Sequence, residues 1–235
     1  MEKSNKKYRD RMYIKELKGL KFPDNAIIKF FFKNQLHTLQ KQKVLEFACS
    51  NGNNLSLFAN YDYECLGVDL DDENIANANY NFTNIIKAKK FNFFKNNILD
   101  FPLLYPNLKA DVFLIPNVVN YLTREEFLKL LNLCQKNKIY KKDAFFFIRT
   151  RSIKDYRYGL GEKIAHNSFK ITNDNITGEL GCINTLYQEH ELVEYLKQYL
   201  NLYNFKVLNY ESTNVMGEDE RLVNDNDIVI YGKIK

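Results

Sequence analysis

At 235 residues the chain is long enough for one α/β domain with a full core and too short for two ordinary catalytic domains. Its composition, 45% hydrophobic and 27% charged, is that of a globular protein, and the absence of a membrane-length apolar run or a secretion signal predicts a cytoplasmic protein without membrane insertion. The net charge of +5 is carried by residues 1–21, so the rest of the chain is neutral overall and does not indicate a partner nucleic acid.

Short apolar runs alternate with helical patterns along the first two thirds of the chain. Strands are predicted at residues 43–49, 64–70, 91–96, 110–116 and 144–150. Helices are predicted at residues 54–61, 72–81 and 123–137. The last of these begins at Thr123 with Glu126 three residues on, which is the spacing of a capping box. Strands that alternate with helices predict a mostly parallel sheet with helices on both faces.

The last third of the chain departs from this alternation. A helix at 189–202 is followed by two apolar runs, 205–212 and 227–235, which only a polar loop separates. A parallel crossover requires a packed helix, so these two strands are predicted to pair antiparallel. The chain is therefore predicted to form an α/β fold with a seven-stranded, mostly parallel Rossmann-like sheet that ends in an antiparallel hairpin.

Small and acidic residues follow the predicted strands, at the sheet edge where open α/β sheets bind ligands. The first run ends in Glu46-Phe-Ala48-Cys-Ser50-Asn-Gly52. This resembles the Asp/Glu-x-Gly-x-Gly-x-Gly motif of class I S-adenosylmethionine-dependent methyltransferases. Small residues let the backbone pass close to the cofactor. Ala48 and Ser50 stand at two of the glycine positions, which puts the unusual backbone angles of that motif in question.

The resemblance implies a role for each of these positions. Glu46 would neutralise the ammonium group of S-adenosylmethionine, directly or through water, although a carboxylate here can instead cap the next helix. Asp69 would accept hydrogen bonds from both ribose hydroxyls, and Asn97 would accept one from the adenine amino group. The product would be S-adenosylhomocysteine. The residues predicted to bind the cofactor are Glu46, Ala48, Ser50, Asn51, Gly52, Asp69, Leu70, Asn97, Ile98, Pro116 and Asn117.

The resemblance also divides the single domain into functional parts. Residues 1–40 would form a helical leader that covers the donor, and residues 41–150 would bind it. Residues 151–190 would bind the acceptor, and residues 191–235 would form the final helix and hairpin. The acceptor segment, with Asp-Tyr-Arg-Tyr-Gly and a later Tyr-x-x-x-Glu, resembles small bacterial O-methyltransferases of surface-polysaccharide pathways. A small-molecule acceptor of sugar, nucleotide-sugar or phosphate type follows from that resemblance.

Candidate acceptor residues lie in the leader and around the acceptor segment. Tyr8, Tyr13, Arg149, Arg151 and Arg157 are predicted to bind the acceptor. Arginines that share a strand face hold a phosphate or carboxylate group well, but pairing with Asp155 or Glu162 is the alternative. A hydroxyl acceptor also has to lose its proton.

Four side chains are candidates for handling that proton. His166 is the first choice and His190 the second, with Asp155 or Glu189 able to orient either. Either histidine can also be an ordinary surface residue.

Two other functional classes remain open at this point. The first is a Rossmann oxidoreductase using NAD(P), which the missing Gly-x-Gly-x-x-Gly fingerprint opposes. The second is a catalytically silent, methyltransferase-like subunit that binds a partner, for which the non-glycine residues of the first motif are the only indication. The four cysteines are widely spaced and lack zinc-ligand patterns, so they are predicted to be reduced core thiols without a metal.

Overall fold

The computed structural model describes residues 21–39, 41–172, 178–216 and 220–235. Tyr8 and Tyr13 lie outside the described residues, and so does most of the predicted leader. The strands are β1 (Lys43–Phe47), β2 (Glu64–Asp69), β3 (Phe91–Lys95), β4 (Ala110–Pro116), β5 (Tyr140–Arg151), β6 (Glu162–Ala165), β7 (Ser168–Lys170), β8 (Ile183–Thr185), β9 (Tyr203–Met216) and β10 (Arg221–Ile234). The α-helices are α1 (Asn25–Lys33), α2 (Asn53–Ala59), α3 (Asp72–Tyr80), α4 (Phe101–Leu104), α5 (Arg124–Lys136) and α6 (Glu189–Leu200).

The main sheet has seven strands in the order β3-β2-β1-β4-β5-β10-β9. Strands β1 to β5 pair in parallel, whereas β10 runs antiparallel to both β5 and β9. The predicted parallel sheet with a terminal antiparallel hairpin is thereby confirmed. Because the strand order reverses between β1 and β4, the carboxyl ends of β1, β2 and β4 open into the crevice where such sheets bind ligands.

Strands β9 and β10 are longer than the sequence predicts. Each has 14 residues, and much of the segment assigned to a polar loop, Arg221–Asn226, pairs with Glu211–Met216. The residues of β10 before Asp227 pair with β9 but not with β5, so this part is a two-stranded ribbon. Only Val223 and Asn226 of Arg221–Asn226 are buried, so this part of the sequence lacks the apolar alternation that marks a strand. The short three-stranded sheet of β6, β7 and β8 was also not predicted.

Helices cover both faces of the main sheet, as predicted. One face packs against α4, α5 and α6 and includes Phe146 and Ile148 of β5. The other packs against α1, α2 and α3 and includes the intervening Phe147. Thr123 and Glu126 form the predicted capping box at the start of α5. All four cysteines are buried and none forms a disulfide bond. Within the described ranges, no helix is long and apolar enough to cross a membrane.

Candidate functional site

The loop between β1 and α2 has the backbone of a glycine-rich motif although it contains only one glycine. Ala48, Ser50 and Gly52 have φ angles of 55°, 48° and 84°, all in the left-handed region. The loop is held against β2, since Ser50 N donates to Asp69 Oδ2 at 2.8 Å and Cys49 N donates to Val68 O at 3.1 Å. The substitutions at the two glycine positions therefore leave the turn intact.

Gly52 is required for a reason that the sequence does not show. A Cβ atom at this position would lie 2.8 Å from Cε2 of Phe82 and 3.3 Å from Cζ of Phe93. These two rings pack edge to face with their centroids 4.8 Å apart, so neither can move away easily. A side chain at this position would therefore meet the core of the protein before it met a ligand.

Gly52→Ala should destabilise the protein by about 1–3 kcal/mol, because the methyl group is crowded and the left-handed angle is strained. Denaturant unfolding measures this loss. Gly159→Ala is the matched control, since Gly159 has a φ of 82° but nothing lies within 4 Å of its Cβ position. Equal losses in the two variants would mean that crowding by Phe82 contributes nothing.

Glu46 is a buried carboxyl group at the end of β1, and in the described part of the chain only one of its two oxygens has a hydrogen-bond partner. Its Oε1 accepts a hydrogen bond from Asn54 Nδ2 at 2.6 Å, whereas Oε2 is buried and has no partner among the described residues. Burial raises the pKa of Glu46 to about 8. Gly52, not Glu46, occupies the N-cap of α2, so the capping alternative does not hold. A buried carboxylate oxygen without a donor is suited to a cationic ligand group.

Asp69 ends β2 and is mostly engaged by the protein. Its Oδ2 accepts from Ser50 N, while Oδ1 accepts from Asp71 N at 3.0 Å and from Asn74 Nδ2 at 3.2 Å. Burial raises the pKa of Asp69 above its ordinary value, although these hydrogen bonds oppose the shift. A carboxylate offers about four acceptor positions, so this geometry leaves room for one ribose hydroxyl, not the two expected.

The positions after β3 and β4 are shaped by local turns. Asn97 Oδ1 accepts from Leu99 N at 3.0 Å, and Ile98 is buried in the core cluster with α4 and α5. Pro116 is the last residue of β4, and Asn117 has a φ of 52°. The Asn117 backbone N–H donates to Arg149 O at 2.8 Å, which fixes the turn against β5. The side-chain oxygen of Asn97 therefore already accepts a hydrogen bond from within its own turn.

Asp24 is a central residue of the site that the sequence analysis missed. It caps α1 through Oδ1, and its backbone N–H donates to Asn54 Oδ1 at 2.8 Å. Asn54 therefore bridges Asp24 and Glu46. Asp24 Oδ2 also accepts from Arg149 Nη1 at 2.8 Å. The position of Asp24 before an apolar helix could have identified the cap, but nothing local in the sequence links it to Glu46.

The three arginines predicted to hold an anion are already paired with carboxylates of the chain. Arg149 binds Asp24 and Asp227, the latter through Nη2 at 2.6 Å and Nε at 2.9 Å. Arg157 Nη1 binds Asp155 at 3.0 Å and also contacts Asp225. The prediction of an anion clamp is corrected, and the alternative of internal pairing holds for Arg157 with Asp155.

Arg151 forms another buried pair. Its two Nη atoms donate to the two carboxylate oxygens of Glu179 at 2.7 and 2.8 Å, and it also contacts Asn184 and Tyr121. Burial alone would raise the pKa of Glu179, but the adjacent Arg151 lowers it to about 2. Glu179 and Tyr121 were not identified from the sequence, since no local motif marks either residue.

Comparisons with known proteins find methyltransferases. Residues 44–137 match a family model described as a methyltransferase domain. A S-adenosylmethionine-dependent methyltransferase from Methanosarcina mazei is 16% identical with a TM-score of 0.63, over 86% of this chain and 98% of that chain. One from Clostridium acetobutylicum is 15% identical with a TM-score of 0.58, over 97% of this chain and 98% of that chain.

A third similar structure contains ligands. It is the 1,6-didemethyltoxoflavin-N1-methyltransferase of Burkholderia thailandensis with bound 1,6-didemethyltoxoflavin and S-adenosylhomocysteine. It is 13% identical with a TM-score of 0.57, over 90% of this chain and 79% of that chain. No curated protein sequence matches the chain.

This chain contains a methyltransferase domain at residues 44–137. It is a methyltransferase, and its methyl donor is S-adenosylmethionine. The predicted fold, enzyme class and cofactor are confirmed, and the oxidoreductase alternative is set aside. The family match spans the strands β1 to β4 that carry the proposed donor site.

The proposed proton acceptors of this methyltransferase lie on different parts of the fold. His166 is exposed in the turn between β6 and β7, with Nε2 3.2 Å from Asn167 Nδ2. His190 is exposed in the first turn of α6. Asp155 is buried and accepts from Arg157 and from Asn226 N at 3.0 Å. The expectation that Asp155 orients a histidine is corrected, since its carboxylate is used to hold Arg157 and the β10 backbone.

Proposed function

We propose that the methyltransferase binds S-adenosylmethionine at the carboxyl ends of β1 to β4 and methylates a hydroxyl group of a neutral small molecule of sugar type. The observation that carries the donor site is the buried, unpartnered Oε2 of Glu46. An ammonium group is the part of the donor that this oxygen would bind, as a charge-assisted hydrogen bond. When bound, S-adenosylmethionine supplies the methyl group that is transferred.

The remaining donor contacts follow the strand ends. Asp69 would accept one ribose hydroxyl, and the left-handed turn at Ala48, Ser50 and Gly52 brings the backbone close to the ligand. The neighbouring positions Asn51 and Leu70 complete this proposed surface. Asn97 and Ile98 are proposed to border the adenine, and Pro116 and Asn117 the transferred methyl group. Asn97 would accept from adenine at the acceptor position of its side-chain oxygen that the hydrogen bond from Leu99 leaves free.

The charge of the acceptor side favours a neutral acceptor. Three arginines at and beyond the end of β5 are paired with five carboxylates, namely Asp24, Asp155, Glu179, Asp225 and Asp227. The surplus of negative charge repels phosphate and carboxylate groups. A sugar-type acceptor therefore agrees with the structure better than the anionic acceptor that the arginines alone suggested. A role in surface-polysaccharide synthesis is proposed from the resemblance of the acceptor segment.

Methyl transfer to a hydroxyl requires that the two reactants are aligned and that a group accepts the hydroxyl proton. The protein holds the two reactants in line, which contributes most of the rate enhancement in such displacements. We propose His166 as the group that accepts the proton, because it is exposed and its imidazole accepts a proton as a general base. His166→Ala should then lower turnover while leaving donor affinity unchanged.

A binding and turnover screen tests this function. Calorimetric titration is expected to show binding of S-adenosylmethionine and S-adenosylhomocysteine but not of NADH. Formation of S-adenosylhomocysteine is then measured with methyl glycosides, nucleotide sugars and sugar phosphates as acceptors. Neutral glycosides should be methylated faster than their phosphorylated counterparts. A consistent preference for phosphorylated acceptors would contradict the assignment of acceptor class while leaving the donor site unaffected.

Asp69→Ala should weaken the binding of S-adenosylhomocysteine at least about tenfold, because it removes a charge-assisted acceptor and releases the Ser50 turn. Calorimetry on protein shown to be folded measures the change. Asp72→Ala is the matched control, since Asp72 begins α3 nearby but is exposed and pairs with Lys95 on the surface. Unchanged affinity in a folded Asp69→Ala protein would remove Asp69 from the site.

A further inference from the structure

A cavity lies at the edge of the sheet opposite the proposed donor site. Its volume is about 590 Å³, and the turns that precede β1, β2 and β3 line it with residues 37–39, 41, 59–63 and 89–90. These strands have five or six residues each, which places the two edges about 17–20 Å apart. The cavity is therefore separate from the site that we propose for S-adenosylmethionine.

The lining of this cavity is rich in cations. It contains Lys41, Lys89, Lys90 and His37 against a single carboxylate, Asp62. Lys89 pairs with Asp62 at 3.2 Å, but both side chains are exposed, so the pair neutralises little. In the described part of the chain, no ion pair holds Lys41 or Lys90. Since the chain is neutral overall outside residues 1–21, this is a local concentration of positive charge.

Aromatic rings stand beside these cations. Tyr61 lines the cavity together with His37, and their ring centroids are 6.4 Å apart. His37 in turn lies 5.3 Å from Phe32, a ring that is 43% exposed. Accessible rings of this kind stack against a planar base. The cavity therefore combines an aromatic wall with amino groups that are suited to a phosphate.

We propose that this cavity binds a nucleoside phosphate, with the base against Tyr61 and His37 and the phosphates held by Lys41 and Lys90. A volume of about 590 Å³ lies within the usual range for small-molecule sites. A purely apolar ligand would leave the cations without a counterion. The lining provides one carboxylate for a metal, and the described residues contain no group of three or more potential metal ligands.

Titration with ADP in the presence of saturating S-adenosylhomocysteine tests the proposal, because the donor site is then blocked. ADP should bind at least about tenfold more tightly than adenosine or inorganic phosphate, since it uses both the aromatic wall and the cations. The double variant Lys41→Glu with Lys90→Glu should weaken ADP binding at least about tenfold. Lys129→Glu, an exposed change on α5, is the matched control and should have no effect.

Several outcomes would overturn the proposal. Absence of ADP binding at millimolar concentration, or displacement of ADP by S-adenosylhomocysteine, would remove the second site. Equal affinity for inorganic phosphate would indicate a simple anion site, and much tighter binding of a single-stranded oligonucleotide would indicate a nucleic-acid surface. The affinity for S-adenosylhomocysteine should not change in the Lys41 and Lys90 variants, so this test is independent of the proposed donor site.

Discussion

Binding of S-adenosylmethionine at pH 7 is expected to release a proton from Glu46. Burial raises the pKa of this group to about 8, so the free protein holds it mainly protonated at neutral pH. An ammonium ligand requires the carboxylate, and the proton must leave when the ligand binds. Calorimetry in buffers of different ionisation enthalpy measures the release. The affinity should fall about tenfold for each pH unit as the pH falls below 8.

Glu46→Gln should abolish the proton release and weaken donor binding by about tenfold to a hundredfold, the range for one charge-assisted hydrogen bond. Glu73→Gln is the matched control, because Glu73 lies exposed in the first turn of α3 at the same edge of the sheet. If Glu46→Gln binds the donor with unchanged affinity and unchanged proton release, another group receives the ammonium.

The same substitution should make the ligand-free protein more stable at high pH. Glu46 has a higher pKa in the folded protein than its ordinary value of 4.5, so its contribution to stability is complete below pH 4.5. That contribution is lost as the pH rises through about 8, because a buried, half-satisfied carboxyl group must then ionise. Glu46→Gln should therefore be about 2–4 kcal/mol more stable than the parent at pH 8, and nearly equal to it at pH 4.

Glu179→Gln is expected to destabilise the protein by about 3–5 kcal/mol, because it leaves the buried guanidinium of Arg151 without its counterion. Denaturant unfolding at pH 7 measures this loss. The double variant Arg151→Met with Glu179→Leu should recover most of it, since neither partner of this buried pair then remains charged. Asp72→Asn, which breaks the exposed pair with Lys95, should cost less than about 1 kcal/mol.

The stabilising effect of Glu179 should also depend on pH. Arg151 lowers the pKa of Glu179 to about 2, below its ordinary value of 4.5. The contribution of Glu179 is therefore complete above pH 4.5 and is lost as the pH falls through 2. The difference in unfolding free energy between the parent and Glu179→Gln should shrink over that interval. A difference that stays constant down to pH 2 would show that the ion pair is not its source.

The sequence by itself determined the elements whose signals are local. Apolar runs such as 110–116 gave the parallel strands, and the polar connection after 205–212 gave the antiparallel hairpin. Thr123 and Glu126 marked the start of α5, because a capping box is completed within four residues. The candidate donor positions Glu46 and Asp69 could be proposed for the same reason, since ligands of such sheets bind where strands end.

Only the tertiary structure decided how the charged groups of the site are used. Arg149 pairs with Asp24 and Asp227, which lie 125 and 78 residues away, and Arg151 pairs with Glu179 at a distance of 28 residues. The residues next to an arginine in the sequence do not show whether a distant carboxylate will pair with it. Because such carboxylates do pair with these arginines, the predicted anion clamp is a set of internal ion pairs. The unpartnered oxygen of Glu46 and the crowding of Gly52 by Phe82 depend in the same way on packing between separate elements.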